Sequence, residues 1–118
     1  MTPERLYELL ARYAASQGIR LNSDKEYVME LLEGLLANEQ RYGYRSCPCR
    51  LAAGTREGDN DIICPCVYKD PDIDEYGSCY CGLYVSEAWN RGTVRHRRVP
   101  ERRPPGKDSS EEEGGRKP

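Results

Sequence analysis

The 118-residue sequence contains no phenylalanine, one tryptophan and one histidine, and 37% of its residues are hydrophobic. So few large apolar side chains predict one small domain with a modest core. No stretch approaches the apolar length that a membrane span requires. The first residues also lack the basic start and apolar segment of a secretory signal. These absences predict a cytoplasmic protein that does not contact membranes.

Charge is distributed unevenly along the chain. Acidic residues outnumber basic ones up to position 89, whereas positions 90 to 118 hold nine Lys or Arg against five Asp or Glu. This last part has four prolines and no aromatic residue apart from the single histidine, so it lacks the basic and aromatic pattern typical of nucleic-acid binding. Its polarity predicts a tail over residues 91–118 that is largely disordered beyond Pro104.

What the sequence does contain is six cysteines, all between positions 47 and 81. They form three C-x-C units. The first, second and third units are Cys47-Pro48-Cys49, Cys64-Pro65-Cys66 and Cys79-Tyr80-Cys81. Three kinds of site would explain so many thiols in so short a stretch: a disulfide framework, a zinc site, or an iron–sulfur cluster with thiols to spare.

The spacing of the thiols favours the cluster. Disulfide frameworks belong to secreted chains, and two cysteines one residue apart cannot bridge each other without strain. Structural zinc sites use wider C-x2–4-C turns, and four-coordinate zinc would leave two thiols idle. A [4Fe–4S] cluster takes four thiolates, and the remaining two can form a disulfide beside a one-electron carrier. Such a site would convert single electrons into dithiol chemistry, while the other two kinds of site remain alternatives.

The residues flanking the units form a specific pattern. The first unit lies in the run from Tyr42 to Arg50, the second precedes Val67, and the third precedes the apolar run 83–85. This pattern, over residues 3 to 90, resembles the catalytic (β) subunit of ferredoxin–thioredoxin reductase. The resemblance implies a [4Fe–4S] cluster, a ferredoxin-like electron donor and a thioredoxin-like protein substrate. It also raises the question of a small variable-type partner subunit.

The resemblance further implies a role for each cysteine. The cluster ligands would be Cys47, Cys64, Cys66 and Cys79. The redox disulfide would join Cys49 and Cys81, with Cys49 as the exposed thiol that attacks the target disulfide and Cys81 held by the cluster between two electron steps. The implied enzyme is a ferredoxin-dependent disulfide (thioredoxin) reductase. A non-catalytic iron–sulfur or zinc protein with an electron-relay or structural role is the alternative.

Two residues next to the cysteines are further candidates. The plant-type third unit has a histidine between its cysteines that is taken to serve protonation at the disulfide; here the position is Tyr80, and the only histidine, His96, lies outside the motif. Tyr80 is therefore a catalytic candidate, with packing as its alternative. Arg50 would favour the thiolate of Cys49, with an ordinary surface cation as its alternative. The 14- and 12-residue gaps between units differ from the plant-type spacing, but loops tolerate such changes.

The basic part of the tail is a candidate donor-binding element. Six arginines fall between positions 91 and 103: Arg91, Arg95, Arg97, Arg98, Arg102 and Arg103. Ferredoxins are generally acidic, so this cluster of charge would steer one toward the protein at low salt. A solvated tail without a partner is the alternative.

The first of two predicted helices covers residues 3 to 17. Thr2 suits its N-cap, Pro3 its first position and Gly18 its end. Its apolar residues recur at helical spacing and are Leu6, Leu9, Leu10 and Tyr13.

The second predicted helix covers residues 24 to 41. Ser23 and Glu26 match a capping box, and Gly43 suits the end. Its apolar face comprises Val28, Leu31, Leu32, Leu35 and Leu36.

After these helices the pattern predicts loops with short helical turns. Leu83, Tyr84, Val85 and Trp89 are expected to pack over the third unit. The predicted fold is therefore mainly α: a small single domain over residues 1–90 whose loops enclose the cluster, with the tail at 91–118.

Overall fold

Residues 1–106, which the computed structural model describes, form a small and mainly helical fold, as predicted. In chain order the elements are α1 (Pro3–Ser16), β1 (Arg20–Leu21), α2 (Lys25–Tyr42), α3 (Arg56–Asp59), α4 (Lys69–Tyr76), β2 (Tyr84–Val85) and α5 (Glu87–Arg91). Within this range none of the helices combines the length and hydrophobicity needed to cross a membrane. The disorder predicted for the end of the tail falls largely on residues 107–118, which lie outside the described residues.

The two long helices lie where the sequence places them, with one error in a cap. The Thr2 hydroxyl accepts a hydrogen bond from the Arg5 N–H at 3.1 Å, so the predicted N-cap of α1 is confirmed. The capping box at Ser23 is wrong, because Asp24 caps α2 instead. In a capping box the Ser23 N–H would donate a hydrogen bond to the Glu26 side chain. Here it donates to the side-chain oxygen of Asn90 at 2.9 Å. A contact from a distant helix thus moves the start of α2 by one residue.

The core joins the two long helices to the cysteine loops. Its most buried side chains include Leu6, Val28, Leu32, Leu35, Ile62, Leu83 and Tyr84. At the middle of α2, Gly34 lies against the first unit, because a Cβ added there would be only 2.9 Å from the Cβ of Pro48. Glycine inside a helix costs about 1 kcal/mol relative to alanine. Here its small size lets α2 support the first unit directly.

A two-stranded antiparallel sheet holds the third unit against the helices. Arg20 pairs with Val85 and Leu21 pairs with Tyr84. The sequence predicts only loop here, because two-residue strands are too short to show the alternation that identifies a strand. The pairing joins the end of α1 to the chain just after Cys81, and an isolated antiparallel bridge between Ser78 and Val85 holds the chain just before Cys79.

The segment of residues 97–106, called here the C-terminal segment, packs on the rest of the chain. Val99 and Arg103 are buried, and Arg102 forms ion pairs with Asp72 and Glu75. The division of the chain at residue 90 stays a prediction. As far as Arg103, however, the predicted tail is attached to the body by these ion pairs and by the buried side chain of Val99.

Candidate functional site

The cysteines meet in one place, and five of the six line a single small internal pocket. Those five are Cys47, Cys64, Cys66, Cys79 and Cys81. All four predicted cluster ligands are among them. Cys49 is exposed and does not line this pocket, and all six side chains are free thiols. In the described part of the chain, no group of three or more His, Cys, Asp or Glu is arranged to hold a single metal ion.

Backbone hydrogen bonds between the loops bring the units together. The Cys47 N–H donates to the Ile62 carbonyl and the Cys64 N–H to the Arg45 carbonyl, both at 2.8 Å. These bonds lie on either side of an isolated antiparallel bridge between Ser46 and Ile63, so they join the first unit to the second.

The third unit closes on itself through β2. The Cys79 N–H donates to the Tyr84 carbonyl at 2.9 Å, and the Tyr84 N–H donates to the Cys79 sulfur at 3.3 Å. Tyr84 also lines the pocket, as expected for an apolar side chain that packs over the third unit. Trp89 lines the surface groove beside Cys49 together with all three residues of the third unit, and it stacks on His96 with ring centroids 3.7 Å apart.

Cys81 is the thiol that connects the pocket to Cys49. Its sulfur lies 3.8 Å from that of Cys79, and Cys81 lines both the pocket and the surface groove that Cys49 also lines. The neighbouring thiols of Cys47, Cys49 and Cys79, together with burial, raise the pKa of Cys81 well above that of an ordinary thiol. Contacts with the Cys47 and Cys81 thiols lower the pKa of Cys49, and the charge of Arg50 acts in the same direction.

Two buried cations face the thiols of the pocket. The Arg50 side chain is only 1% exposed, and its Nη1 donates to the Cys66 sulfur at 3.4 Å. The interpretation of Arg50 as an ordinary surface cation is therefore wrong. Lys69 also lines the pocket, and its Nζ lies 2.6 Å from a carboxylate oxygen of Asp70. Positive charge beside these sulfurs would offset the mutual repulsion of four thiolates if they bind a cluster.

Cys49 lies between two surface grooves of about 440 and 460 Å³. The first groove is lined also by Tyr27, Trp89, Arg97 and Arg98, and the second by Leu51, Glu101, Arg103 and Pro104. Tyr80 lines both grooves, and its ring centroid lies 4.5 Å from the Arg50 guanidinium carbon. The exposed thiol thus sits at a surface wide enough for a protein segment, with Tyr80 beside it.

Several residues of this site carry no sequence signal for the contacts they make. Glu101 and Arg103 belong to a polar, proline-containing stretch with no periodic pattern, and the sequence indicated Arg103 only as one of six arginines that could steer a donor. Lys69 opens a short helix whose acidic residues dominate its composition. The hydroxyl of Tyr27, on α2, donates a hydrogen bond to the Cys81 carbonyl. Helical spacing predicts only that the Tyr27 side chain lies near one edge of the buried face of α2. Only tertiary contacts identify these four residues.

Six free thiols that meet in the loops of a mainly helical chain, with one of them exposed at a groove, are the arrangement expected of a thiol-dependent redox protein. The family model of the ferredoxin thioredoxin reductase catalytic beta chain matches residues 2–101. The chain therefore belongs to the ferredoxin–thioredoxin reductase catalytic subunit family, and the resemblance inferred from the C-x-C units is confirmed. No curated protein sequence matches the chain significantly.

The donor set of the pocket fits the iron–sulfur cluster for which the family is known. Four of its thiols match the four ligands that a [4Fe–4S] cluster requires. The two buried cations suit a group that carries net negative charge together with its ligands. Cys81 remains beside the four, and Cys49 faces outward.

Proposed function

We propose that this chain is an iron–sulfur disulfide reductase, which uses single electrons from a ferredoxin-like donor to reduce a disulfide of a thioredoxin-like protein in the cytoplasm. Cys47, Cys64, Cys66 and Cys79 would hold a [4Fe–4S] cluster. The observation that carries the proposal is the separation of the six thiols: five line an internal pocket, and the sixth, Cys49, is exposed at a surface groove that Cys81 also lines.

The [4Fe–4S] cluster, when bound, supplies one-electron transfer. The protein's own thiols carry out the exchange. The Cys49 thiolate attacks one sulfur of the target disulfide, which forms a mixed disulfide and releases the first target thiolate. The Cys81 thiolate then attacks the Cys49 sulfur, which forms the Cys49–Cys81 disulfide and releases the second. The two target thiolates then take up two protons. Two electrons and two further protons reduce the Cys49–Cys81 disulfide back to two thiols.

Arg50 and burial support these two roles. The positive charge of Arg50 favours the thiolate of Cys49, the form that attacks. Cys81 is only 8% exposed, so a bulky target reaches Cys49 first. Cys81 lines the same groove as Cys49, so its sulfur would be placed to displace the target from Cys49.

The experiment that tests the proposal begins with anaerobic purification followed by iron and acid-labile sulfide analysis. A brown protein should then reduce thioredoxin when supplied with reduced ferredoxin, and two thiols should appear per two electrons consumed. A colourless protein that contains zinc would contradict the proposed cofactor. A brown protein that accepts electrons but reduces no disulfide would instead favour an electron-relay role.

Tyr80 is proposed to assist proton transfer at Cys49. If its hydroxyl replaces the family's histidine, Tyr80→Phe should slow thioredoxin reduction by about 10²-fold or more, the usual contribution of a general acid–base group. Tyr80→His should retain activity. Steady-state rates across pH, with iron content as the control, would check this. An unchanged rate for the Phe variant would leave Tyr80 as a ring that packs on Arg50.

The exposed arginines of the C-terminal region are proposed to steer the acidic electron donor. Arg95, Arg97 and Arg98 are exposed, and the last two line the groove beside Cys49. Reversing all three to glutamate should slow reduction by ferredoxin at low salt and leave reduction by dithionite unchanged. The difference from the parent should shrink as salt rises, because the Debye length falls to about 8 Å at physiological ionic strength.

Three other exposed arginines provide a matched control for total charge. The control variant reverses Arg5, Arg12 and Arg20, which lie on or next to α1. It should reduce the ferredoxin rate less than the first variant does. Equal rates for both variants would mean that total charge, and not the position of the C-terminal arginines, governs the encounter.

A further inference from the structure

Arg50 is held in one orientation against a pocket sulfur. Its Nη1 donates to the Cys66 sulfur at 3.4 Å. The guanidinium carbon lies 4.5 Å from the ring centroid of Tyr80 and 5.2 Å from that of Tyr68, so both rings pack on the cation. With its side chain 1% exposed, Arg50 presents a fixed positive charge to Cys66 with little screening by water.

Glu101, which is 51 residues further along the chain, pairs with the positive charge of Arg50. The Arg50 Nε donates to both carboxylate oxygens of Glu101, at 2.9 and 2.8 Å, and Nη2 lies 2.8 Å from Oε1. The single Nε–H is shared by both oxygens, and hydrogen bonds between two charged groups are stronger than neutral ones. Glu101 therefore places a negative charge next to the guanidinium that contacts Cys66.

Arg103 fixes the position of Glu101. Its own N–H donates to Glu101 Oε1 at 3.0 Å. Its buried guanidinium donates to Asp61 at 3.0 Å, to Asp59 at 3.1 Å, and to the Leu51 and Gly58 carbonyls at 2.9 Å. Because Arg103 is bound on several sides, Glu101 has little freedom to leave Arg50.

We propose that Arg50 and Glu101 form a charge pair that sets the reduction potential of the cluster bound through Cys66. The two residues shift this potential in opposite directions. This inference rests on the proposed function. Reduction adds negative charge, so the hydrogen bond and positive charge of Arg50 raise the potential, and the carboxylate of Glu101 lowers it. The docking of the C-terminal segment thereby acts on the redox centre without touching it.

Redox titration of variants under anaerobic conditions tests the pair. Arg50→Gln should shift the midpoint potential to a more negative value, because a donor and a positive charge are lost. Glu101→Gln should shift it to a more positive value, because only the negative charge is lost. Glu57→Gln, which neutralises an exposed carboxylate on α3, is the matched control and should leave the potential at the parent value. The visible spectrum of each variant reports whether the cluster is intact.

The opposite signs separate the proposal from a merely structural role. A general loosening of the fold would shift the midpoint potentials of both variants in the same direction, and that result would overturn the proposed pair. Potential shifts no larger than that of Glu57→Gln would also overturn it. If Arg50→Gln loses iron, Arg50→Lys takes its place and should give a smaller negative shift, because the charge stays but the planar fork is lost.

The same titration distinguishes failure of the pair from failure of the proposed function. A parent protein with iron, sulfide and a reversible potential that neither substitution moves would overturn the pair alone. A parent protein purified anaerobically without iron and sulfide would overturn the proposed cofactor and the charge pair with it.

Discussion

Cys64→Ser is expected to abolish iron binding and most of the cooperative fold, whereas Cys49→Ser should keep both and lose only the reduction of the target. Cys64 lines the internal pocket with the other predicted ligands, and removing a ligand removes folding energy linked to metal binding. Cys49 is exposed and lies outside the pocket, so serine there deletes the proposed attacking thiol and little else. The two substitutions are chemically identical, and only their positions differ.

Three measurements check this pair of variants: iron and sulfide content, the visible spectrum, and thioredoxin reduction with ferredoxin as donor. Cys47→Ser, Cys66→Ser and Cys79→Ser should behave like Cys64→Ser. The assignment of roles would be wrong if the Cys49 variant lost its iron while the Cys64 variant kept it.

Arg103→Met should lower the free energy of unfolding by about 3–5 kcal/mol, the usual cost of removing one partner from a buried ion pair. Arg103 is 7% exposed and Asp59 is fully buried, so methionine would leave the Asp59 and Asp61 carboxylates without their common cation. Arg98→Met, at an exposed arginine of the same segment, is the control and should change stability by less than about 0.5 kcal/mol. Anaerobic denaturant titration followed by circular dichroism measures both.

The pH dependence of the same variant provides a second check. Burial alone would raise the pKa of Asp59, but hydrogen bonds from Tyr44, the Ala53 and Gly54 N–H groups and Arg103 outweigh it and lower that pKa. A carboxyl whose pKa is lower in the folded state stabilises the fold above its unfolded pKa of about 4, and this contribution is lost as pH falls through the folded value.

The difference in stability between the parent and Arg103→Met should therefore narrow below about pH 4, where protonation removes the uncompensated charge. A variant as stable as Arg98→Met at pH 7, or a difference that grows on acidification, would contradict the role given to Arg103. Asp61 should contribute in the same direction, because hydrogen bonds from Tyr68 and Arg103 outweigh the effect of its burial and lower its pKa.

The order of the three C-x-C units and the apolar spacing of the two long helices were sufficient to predict the family and the mainly helical fold. Leu6 in α1 and Val28 and Leu32 in α2 are buried as the helical period requires. The family resemblance implied four particular cysteines as ligands; those four line one pocket together with Cys81, and the choice of ligands stays a prediction. Local pattern determines these features because helix periodicity and cysteine spacing are properties of short stretches of chain.

Contacts between distant residues decided the rest. The cap of α2 moved from Ser23 to Asp24 because Asn90 binds the Ser23 N–H. The β1–β2 pairing lies between segments too short to show a period, and Arg50 is buried only because Glu101 and two tyrosine rings enclose it.

By itself the sequence determined which residues are thiols, which stretches are helical and which family the chain belongs to. Only the tertiary structure decided that the basic segment is attached to the body as far as Arg103 and that Glu101 reaches Arg50. The physical reason is that the local sequence around a charged residue in a polar stretch is the same whether its side chain is solvated or buried. Its burial depends on partners about 50 residues away, which the local sequence pattern does not identify.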